Sequence, residues 1–288
     1  MGLAAGMRCP PDYLDIAVRL ADAARPIAQR YFRAPLDIET KADDTPVTRA
    51  DREVEAAMRE ILRETCPDHE ILGEEMGGTP VSTGVQWILD PIDGTSAFAS
   101  GVAMFGTLVG LAIDGNFVLG LIDQPITEER WLGAAGRPTT LNGTAAQVSG
   151  CTELSQARLF TTAPEYFSTE ETQAAFHRVR DGARFTRYGA DCYAFGLLAS
   201  GHTDLVIEAE LHVWDYAAPA AVVENAGGVV TDWQGKPLSS TSDGGSVLAA
   251  STPALHAAAL SLLAGSITAQ SWKSALQKTK YRVGYRLC

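Results

Sequence analysis

Trp87-Ile88-Leu89-Asp90-Pro91-Ile92-Asp93-Gly94-Thr95 is the most informative stretch of the chain. An apolar run of strand character ends in two carboxylates spaced i, i+3, with a proline between them that fixes the turn. Gly94 permits a close backbone approach, and Thr95 stands where an N-cap of a following helix is expected. Carboxylates at a strand end repel one another unless a cation lies between them. Hard divalent ions such as Mg²⁺ take oxygen ligands, and the turn carbonyl of Ile92 offers one more. The free N–H groups of a helix start at Gly94–Thr95 suit a phosphate. One short segment can thus hold metal and anion together, although a lone pair of this kind is more simply an Asx turn with a cap.

Working outward, Tyr13, Ile16, Ala17, Leu20, Ala24, Ile27 and Tyr31 recur every three or four residues and predict an amphipathic helix over residues 10–33, kinked or restarted at Pro26. A second helix is predicted over 51–66. Short strands are predicted at 69–73, 85–89, 106–113 and 117–122, the last two joined by the hairpin signal Asp114-Gly115-Asn116. Beyond residue 150, strands at 159–162, 185–188, 205–208 and 228–232 alternate with helices at 169–181, 192–200 and 214–225. Residues 247–265 read as a buried alanine-rich helix. The fold class is therefore α/β, with an α+β N-terminal half (1–150) and an α/β C-terminal half (151–265). Residues 266–288 carry Lys273, Lys278, Lys280, Arg282 and Arg286 and no acid. They read as a frayed or non-native extension rather than a basic anchor.

Composition removes several classes of function. The 288 residues are 46% hydrophobic and 20% charged, an ordinary globular balance, with a net charge of −12 that disfavours a nucleic-acid partner. Five scattered cysteines without a CxxC pair exclude a usual zinc cage and point to a reducing compartment. No segment reaches the roughly 18–20 apolar residues of a membrane helix, and the N-terminus lacks the apolar core of a signal peptide. The expected location is the cytoplasm, with no membrane partner.

Two further acidic sites flank the central motif. Glu74-Glu75 follow a predicted strand in a glycine-flanked loop, and Asp215 in His212-Val213-Trp214-Asp215 opens a predicted helix, where an N-cap would be the ordinary reading. Together, and in this order and spacing, Gly73-Glu74-Glu75, Asp90-Pro91-Ile92-Asp93-Gly94-Thr95 and Trp214-Asp215 resemble the inositol monophosphatase superfamily of Mg²⁺-dependent phosphatases, over about residues 10–265. Val47-Thr48-Arg49-Ala50-Asp51 is similar to the family's upstream segment, where an acid assists the attacking water.

The resemblance implies a layered αβαβα sandwich, a small phosphorylated metabolite as substrate, a homodimer, and two or three Mg²⁺ ions. It assigns Glu74, Asp90 and the Ile92 carbonyl to a first ion and Asp90, Asp93 and Asp215 to a second. Glu74 would also reach a third, weaker ion through water. Asp51 and Thr95 would orient and deprotonate the water, and the Gly94 and Thr95 amides would hold the phosphate. Lys41 falls one residue out of the family's spacing and is left out. Two metals clamping the attacking and leaving oxygens would remove any need for a Ser or Cys nucleophile. The histidines show no metal-ligand spacing and read as structural or exposed, with His212 kept open because it lies near Asp215.

Within the superfamily, Phe105-Gly106-Thr107-Leu108, Ile122-Asp123-Gln124-Pro125, Glu129-Arg130-Trp131 and Gly189-Ala190-Asp191-Cys192-Tyr193 are similar to the histidinol-phosphate phosphatases. That substrate carries an ammonium and a partly cationic imidazole, which Asp191 and Glu208 could pair. On the ordinary reading, Asp123, Asp191 and Glu129 are loop and cap residues. The alternatives are an inositol-1-monophosphatase, a broader sugar-phosphate phosphatase, or a non-catalytic phospho-metabolite-binding protein on the same fold.

Overall fold

The computed structural model describes residues 8–34, 38–40, 46–242 and 245–265. Its elements in chain order are α1 (Pro11–Tyr31), β1 (Ile38–Thr40), β2 (Pro46–Thr48), α2 (Arg49–Thr65), β3 (Glu70–Gly73), β4 (Val85–Asp93), α3 (Thr95–Ala99), β5 (Gly106–Ile113), β6 (Asn116–Gln124), β7 (Glu129–Ala134), β8 (Arg137–Leu141) and β9 (Thr144–Ala145). They continue with β10 (Arg158–Thr161), α4 (Glu170–Arg180), β11 (Phe185–Tyr188), α5 (Tyr193–Ala199), β12 (Leu205–Leu211), α6 (Val213–Asn225), β13 (Val229–Thr231), β14 (Gly245–Ala250) and α7 (Pro253–Leu263), with 3₁₀ turns at Leu154–Gln156 and Pro164–Tyr166.

Side-chain alternation along the strands sets the layers. Trp87, Leu89, Val109 and Leu111 point into a core shared with α1 and α2, whereas Ile88, Leu108 and Ile122 point into a second core shared with α5 and α6. Val206, Val247 and Ala249 enter that same central core from the opposite side. Their neighbours Leu205, Ile207, Leu248 and Ala250 face a third core with α4 and α7. Stacked in order, the layers are α1/α2, a sheet, α5/α6, a second sheet, and α4/α7, the αβαβα sandwich expected. The first sheet has the order β3-β4-β5-β6-β7-β8-β9 and is antiparallel apart from β3–β4. The second has the order β11-β10-β12-β14-β13, with β10 parallel to both neighbours.

The central helix α6 is seated by a row of glycines. Gly110 pairs with Gly120 and Gly120 with Gly133 across β5, β6 and β7. A Cβ at Gly120 would overlap the Ala218 carbonyl oxygen, and one at Gly133 would lie 2.9 Å from Val222 Cα. The helix backbone therefore rests directly on the sheet, and small residues (Ala217, Ala218, Ala221) complete the contact.

Four expectations change. Residues 247–265 are not one helix: β14 fills 245–250, and α7 starts at Pro253 with Thr252 as its N-cap. β14 is buried on both faces, so its apolar run has no strand-like alternation to announce it. Thr95 is not an N-cap; Gly94 takes that position at φ +84°, and Thr95 is the first helical residue. Asp215 is not an N-cap either, because His212 caps α6 and Asp215 stands three residues inside. Helix α1 runs unbroken through Pro26. Lys41 and the basic segment 266–288 lie outside the described residues. Among the described residues no helix is long and apolar enough to cross a membrane.

Candidate active site

The acidic cluster is built by a fault in one strand pair. The β4–β5 register shifts between Asp90 and Asp93, and the interruption contains Pro91, which has no N–H to give to a ladder. The Pro91 carbonyl instead accepts from Thr107 Oγ1 at 2.8 Å. Asp215 arrives from α6, where its Oδ2 accepts the His212 N–H at 2.7 Å. Pro219 withholds the N–H that would bond to the Asp215 carbonyl, loosening that turn. Carboxylate oxygens of Asp90, Asp93 and Asp215 consequently lie within 4.8 Å of one another.

Glu74 is presented by a closed loop. Gly73 and Gly77 exchange backbone hydrogen bonds at 3.1 Å, and the Glu74 N–H donates to the Leu89 carbonyl at 3.2 Å, extending the β3–β4 pairing. Sequence reasoning missed the strap beneath it. Buried Glu55 on α2 accepts the Glu75 N–H at 2.8 Å and the Met76 N–H at 3.2 Å, and is itself paired with Arg59 at 2.7 Å. The only signal available was the acid at one helical turn from Arg59, which is indistinguishable from a surface i, i+4 pair.

On the other side, Thr95 Oγ1 donates to the Ile92 carbonyl at 3.1 Å. A Cβ at Gly94 would lie 3.1 Å from the Asp191 carboxyl carbon and 3.1 Å from the Met104 carbonyl, so the left-handed turn and the crowding both call for glycine. Asp93 Oδ2 accepts the Cys192 N–H at 2.7 Å, which ties the cluster to the start of α5.

These residues open onto a cavity of about 670 Å³, whose wall includes Glu74, Asp90, Asp93, Thr95, Asp191 and Asp215. Burial pushes Asp90 well above the usual carboxylate range, and the charges of Glu74, Asp93, Asp215 and Asp51 push it further. Asp215 is raised by burial and by Asp93; Asp93 is raised by burial against the opposing Cys192 amide. Asp191 is lifted to about 8 by burial, then by Asp93.

Not every expected residue reaches the cavity. Asp51 is buried in the first turn of α2 and is felt at Asp90 as charge rather than as wall. Glu208 is 1% exposed and lies behind Thr162, which does line the cavity. Its carboxylate accepts the Thr162 N–H at 2.8 Å and the hydroxyls of Thr161 and Thr162 at 3.1 Å. Asp123 and Glu129 serve the scaffold: Asp123 pairs with Arg25 and Arg130 at 2.6 Å, and Glu129 accepts from Tyr193 Oη at 2.6 Å. His212, by contrast, lines the cavity with its ring stacked on Trp214, while His69 and His256 are held by Trp87 and Thr231.

The donor set fits a hard divalent cation. The converging group is three carboxylates, whose ligand atoms are all oxygen, and Asp90 Oδ1 is buried without a hydrogen-bond partner. Such an acceptor among like charges is stabilised by a proton or by a metal, and only the metal does so with all three carboxylates ionised. Beside it, the exposed edge of Thr95 and the start of α3 leave room for an anion, so the arrangement can bring a phosphate, a cation and water together.

Comparison with known proteins identifies the family. The family model for the inositol monophosphatase family matches residues 11–268. The bifunctional phosphatase IMPL2, chloroplastic, of Arabidopsis thaliana is 50% identical over 75% of the chain, which spans 63% of that plant protein. The histidinol-phosphatase of Mycobacterium tuberculosis is 37% identical, with 78% of this chain and 88% of the relative aligned. Among solved structures, an inositol monophosphatase from Zymomonas mobilis superposes with a TM-score of 0.79 at 46% identity, covering 88% of this chain and 97% of that one. The chain belongs to the inositol monophosphatase family and is a phosphoric monoester hydrolase.

Proposed function

We propose that the protein is a Mg²⁺-dependent histidinol-phosphate phosphatase that releases histidinol and inorganic phosphate, as a homodimer in the cytoplasm. The observation that carries the substrate is Asp191, whose carboxyl group lies over Gly94 at the edge of the cluster and lines the cavity. Burial lifts this carboxyl group to about 8, so a cationic leaving alcohol beside it favours its ionised form and pairs with it, whereas a neutral polyol offers nothing comparable. The similarity to proteins named histidinol-phosphatase supports the same reading.

Glu74, Asp90, Asp93, Asp215 and the Ile92 carbonyl would hold the metal. Bound Mg²⁺ supplies charge neutralisation for the phosphoryl oxygens and a lowered pKa for water. The chain does the rest. Backbone amides of Gly94 and Thr95 hold the phosphate, and Thr95 orients the attacking water from the cavity wall. Asp51, from behind that wall, would favour loss of the water's proton through the charge it places beside Asp90 rather than by contact. Sedimentation velocity tests the homodimer. The free thiols of Cys9, Cys66, Cys151 and Cys192 suit a reducing compartment.

The test is Asp191→Asn. A charge-assisted hydrogen bond is worth about 1.5–3 kcal/mol, so kcat/KM for histidinol phosphate should fall by roughly ten-fold or more while a generic phosphate ester changes little. Equal losses on both substrates would contradict the assigned role.

A further inference from the structure

Among the described residues, six other than glycine hold a positive φ: Arg33, Asp114, Glu128, Asn142, Asp191 and Glu210. Arg33 follows the end of α1, and Asp114, Glu128 and Asn142 lie in turns between neighbouring strands, where the chain must reverse. The remaining two, Asp191 and Glu210, both line the active-site cavity. Glycine adopts this backbone at lower cost, so an acidic side chain kept there points to use of the side chain.

Glu210 stands at the irregularity in β12, where pairing with β14 shifts register between Glu208 and Leu211. The shift separates two acids that strand alternation alone would place alike. Glu208 is drawn inward and saturated by Thr161 and Thr162, whereas Glu210 is exposed on the cavity wall. The 3₁₀ turn Pro164–Tyr166 packs against β12 and carries Tyr166, 43% exposed and lining the same cavity. With the phosphate taken by the cluster and Thr95, this acid and this ring belong with Asp191 and Thr162 to the wall left for the leaving alcohol.

We propose that Glu210 is a specificity-determining residue that pairs with the cation of the leaving alcohol, against the ring of Tyr166, and that Glu208 acts only as a strut beneath Thr162. The proposal rests on the histidinol-phosphate reading and adds to Asp191 a second selectivity residue that the motifs did not single out. A carboxylate at this rim attracts an ammonium or imidazolium and repels a second phosphate, so it also discriminates against bisphosphates. The Tyr166 ring adds an apolar face on which a cation is held by the quadrupole.

The experiment measures kcat/KM for histidinol phosphate, inositol 1-phosphate and p-nitrophenyl phosphate in the wild-type protein, Glu210→Gln and Glu210→Gly. Both variants should lose about ten-fold on histidinol phosphate and less than about two-fold on the other two esters. Glu210→Gly relieves the left-handed backbone while loosening the unfolded chain, so its Tm should hold or rise, and lost activity cannot then be ascribed to misfolding. Unchanged histidinol-phosphate kinetics in both variants, or equal losses on all three esters, would overturn the role of Glu210. A wild-type preference for inositol 1-phosphate would instead overturn the substrate reading on which it rests.

Discussion

Asp90→Asn should make the metal-free protein more stable and the metal-loaded protein nearly inactive. Asp90 is 1% exposed, its Oδ1 has no hydrogen-bond partner, and its carboxyl group faces the charges of Glu74, Asp93, Asp215 and Asp51. Oxygens of Asp90, Asp93 and Asp215 lie within 4.8 Å of one another. At an effective dielectric constant of about 20, two unit charges at that separation repel by about 3 kcal/mol. Protonation of the wild-type cluster relieves part of this, so a gain of about 1–3 kcal/mol is expected at pH 8. For a chain of this size that raises the metal-free Tm by on the order of 5 °C. The sign with pH follows from linkage. A carboxyl group raised in the folded state favours folding most when protonated, and that stability is lost as pH rises from its unfolded value near 4 through its folded value. The two proteins should therefore converge near pH 5. Saturating Mg²⁺ should cancel or reverse the order, since a ligand at 100 times its Kd adds about 2.7 kcal/mol to wild type and little to the variant. Differential scanning fluorimetry at pH 5 and 8, with and without Mg²⁺, reads all four states. A variant no more stable than wild type without metal, or equally stabilised by Mg²⁺, would refute the cluster as the metal site.

Three other perturbations probe the scaffold. Gly120→Ala places a methyl group against the Ala218 carbonyl, so α6 must lift; a loss of about 1–3 kcal/mol is expected in urea denaturation, with weaker Mg²⁺ binding by calorimetry because Asp215 moves with the helix. Glu55→Ala leaves Arg59 and the Glu75 and Met76 amides without their acceptor; stability should fall by about 3 kcal/mol and Mg²⁺ affinity should drop as the Glu74 loop slackens, and unchanged affinity would remove the strap from the account. Glu208 is lifted to about 8 by burial, against the donors of Thr161 and Thr162. Its contribution is thus full below about pH 4.3 and lost as pH rises toward 8. Glu208→Gln keeps an acceptor for the Thr162 N–H and cannot titrate, so its stability advantage over wild type should widen from pH 5 to 8, by up to about 1.4 kcal/mol per unit; a constant difference would contradict this.

The parts of the fold legible in the sequence are those written locally. The spacing from Tyr13 to Tyr31, the Asp114-Gly115-Asn116 turn and the run into Asp90-Pro91-Ile92-Asp93 each determine their element within a few residues, and α1, the β5–β6 hairpin and the broken end of β4 follow. What stayed hidden depends on distant partners. β14 and α7 merged into one apolar stretch because both faces of β14 are covered by other layers. Strands β7 and β8 went unread because Glu129, Arg130, Arg137 and Pro138 obscure any alternation. Glu55 lies one helical turn from Arg59, a spacing shared with solvated surface pairs, and only the Glu74 loop folding over it makes it a strap. Glu208 and Glu210 were separable only by the register shift in β12.

Substrate choice by a metal-dependent site is the central claim, and one competition experiment addresses it. Equal concentrations of histidinol phosphate and inositol 1-phosphate are mixed with the protein in Mg²⁺ or in EDTA, and both esters are followed by phosphorus NMR. Their relative rates of loss give the ratio of kcat/KM directly. The account predicts that histidinol phosphate disappears about ten-fold faster or more, and that neither ester is hydrolysed in EDTA. Faster loss of inositol 1-phosphate, or turnover that persists in EDTA, would contradict it.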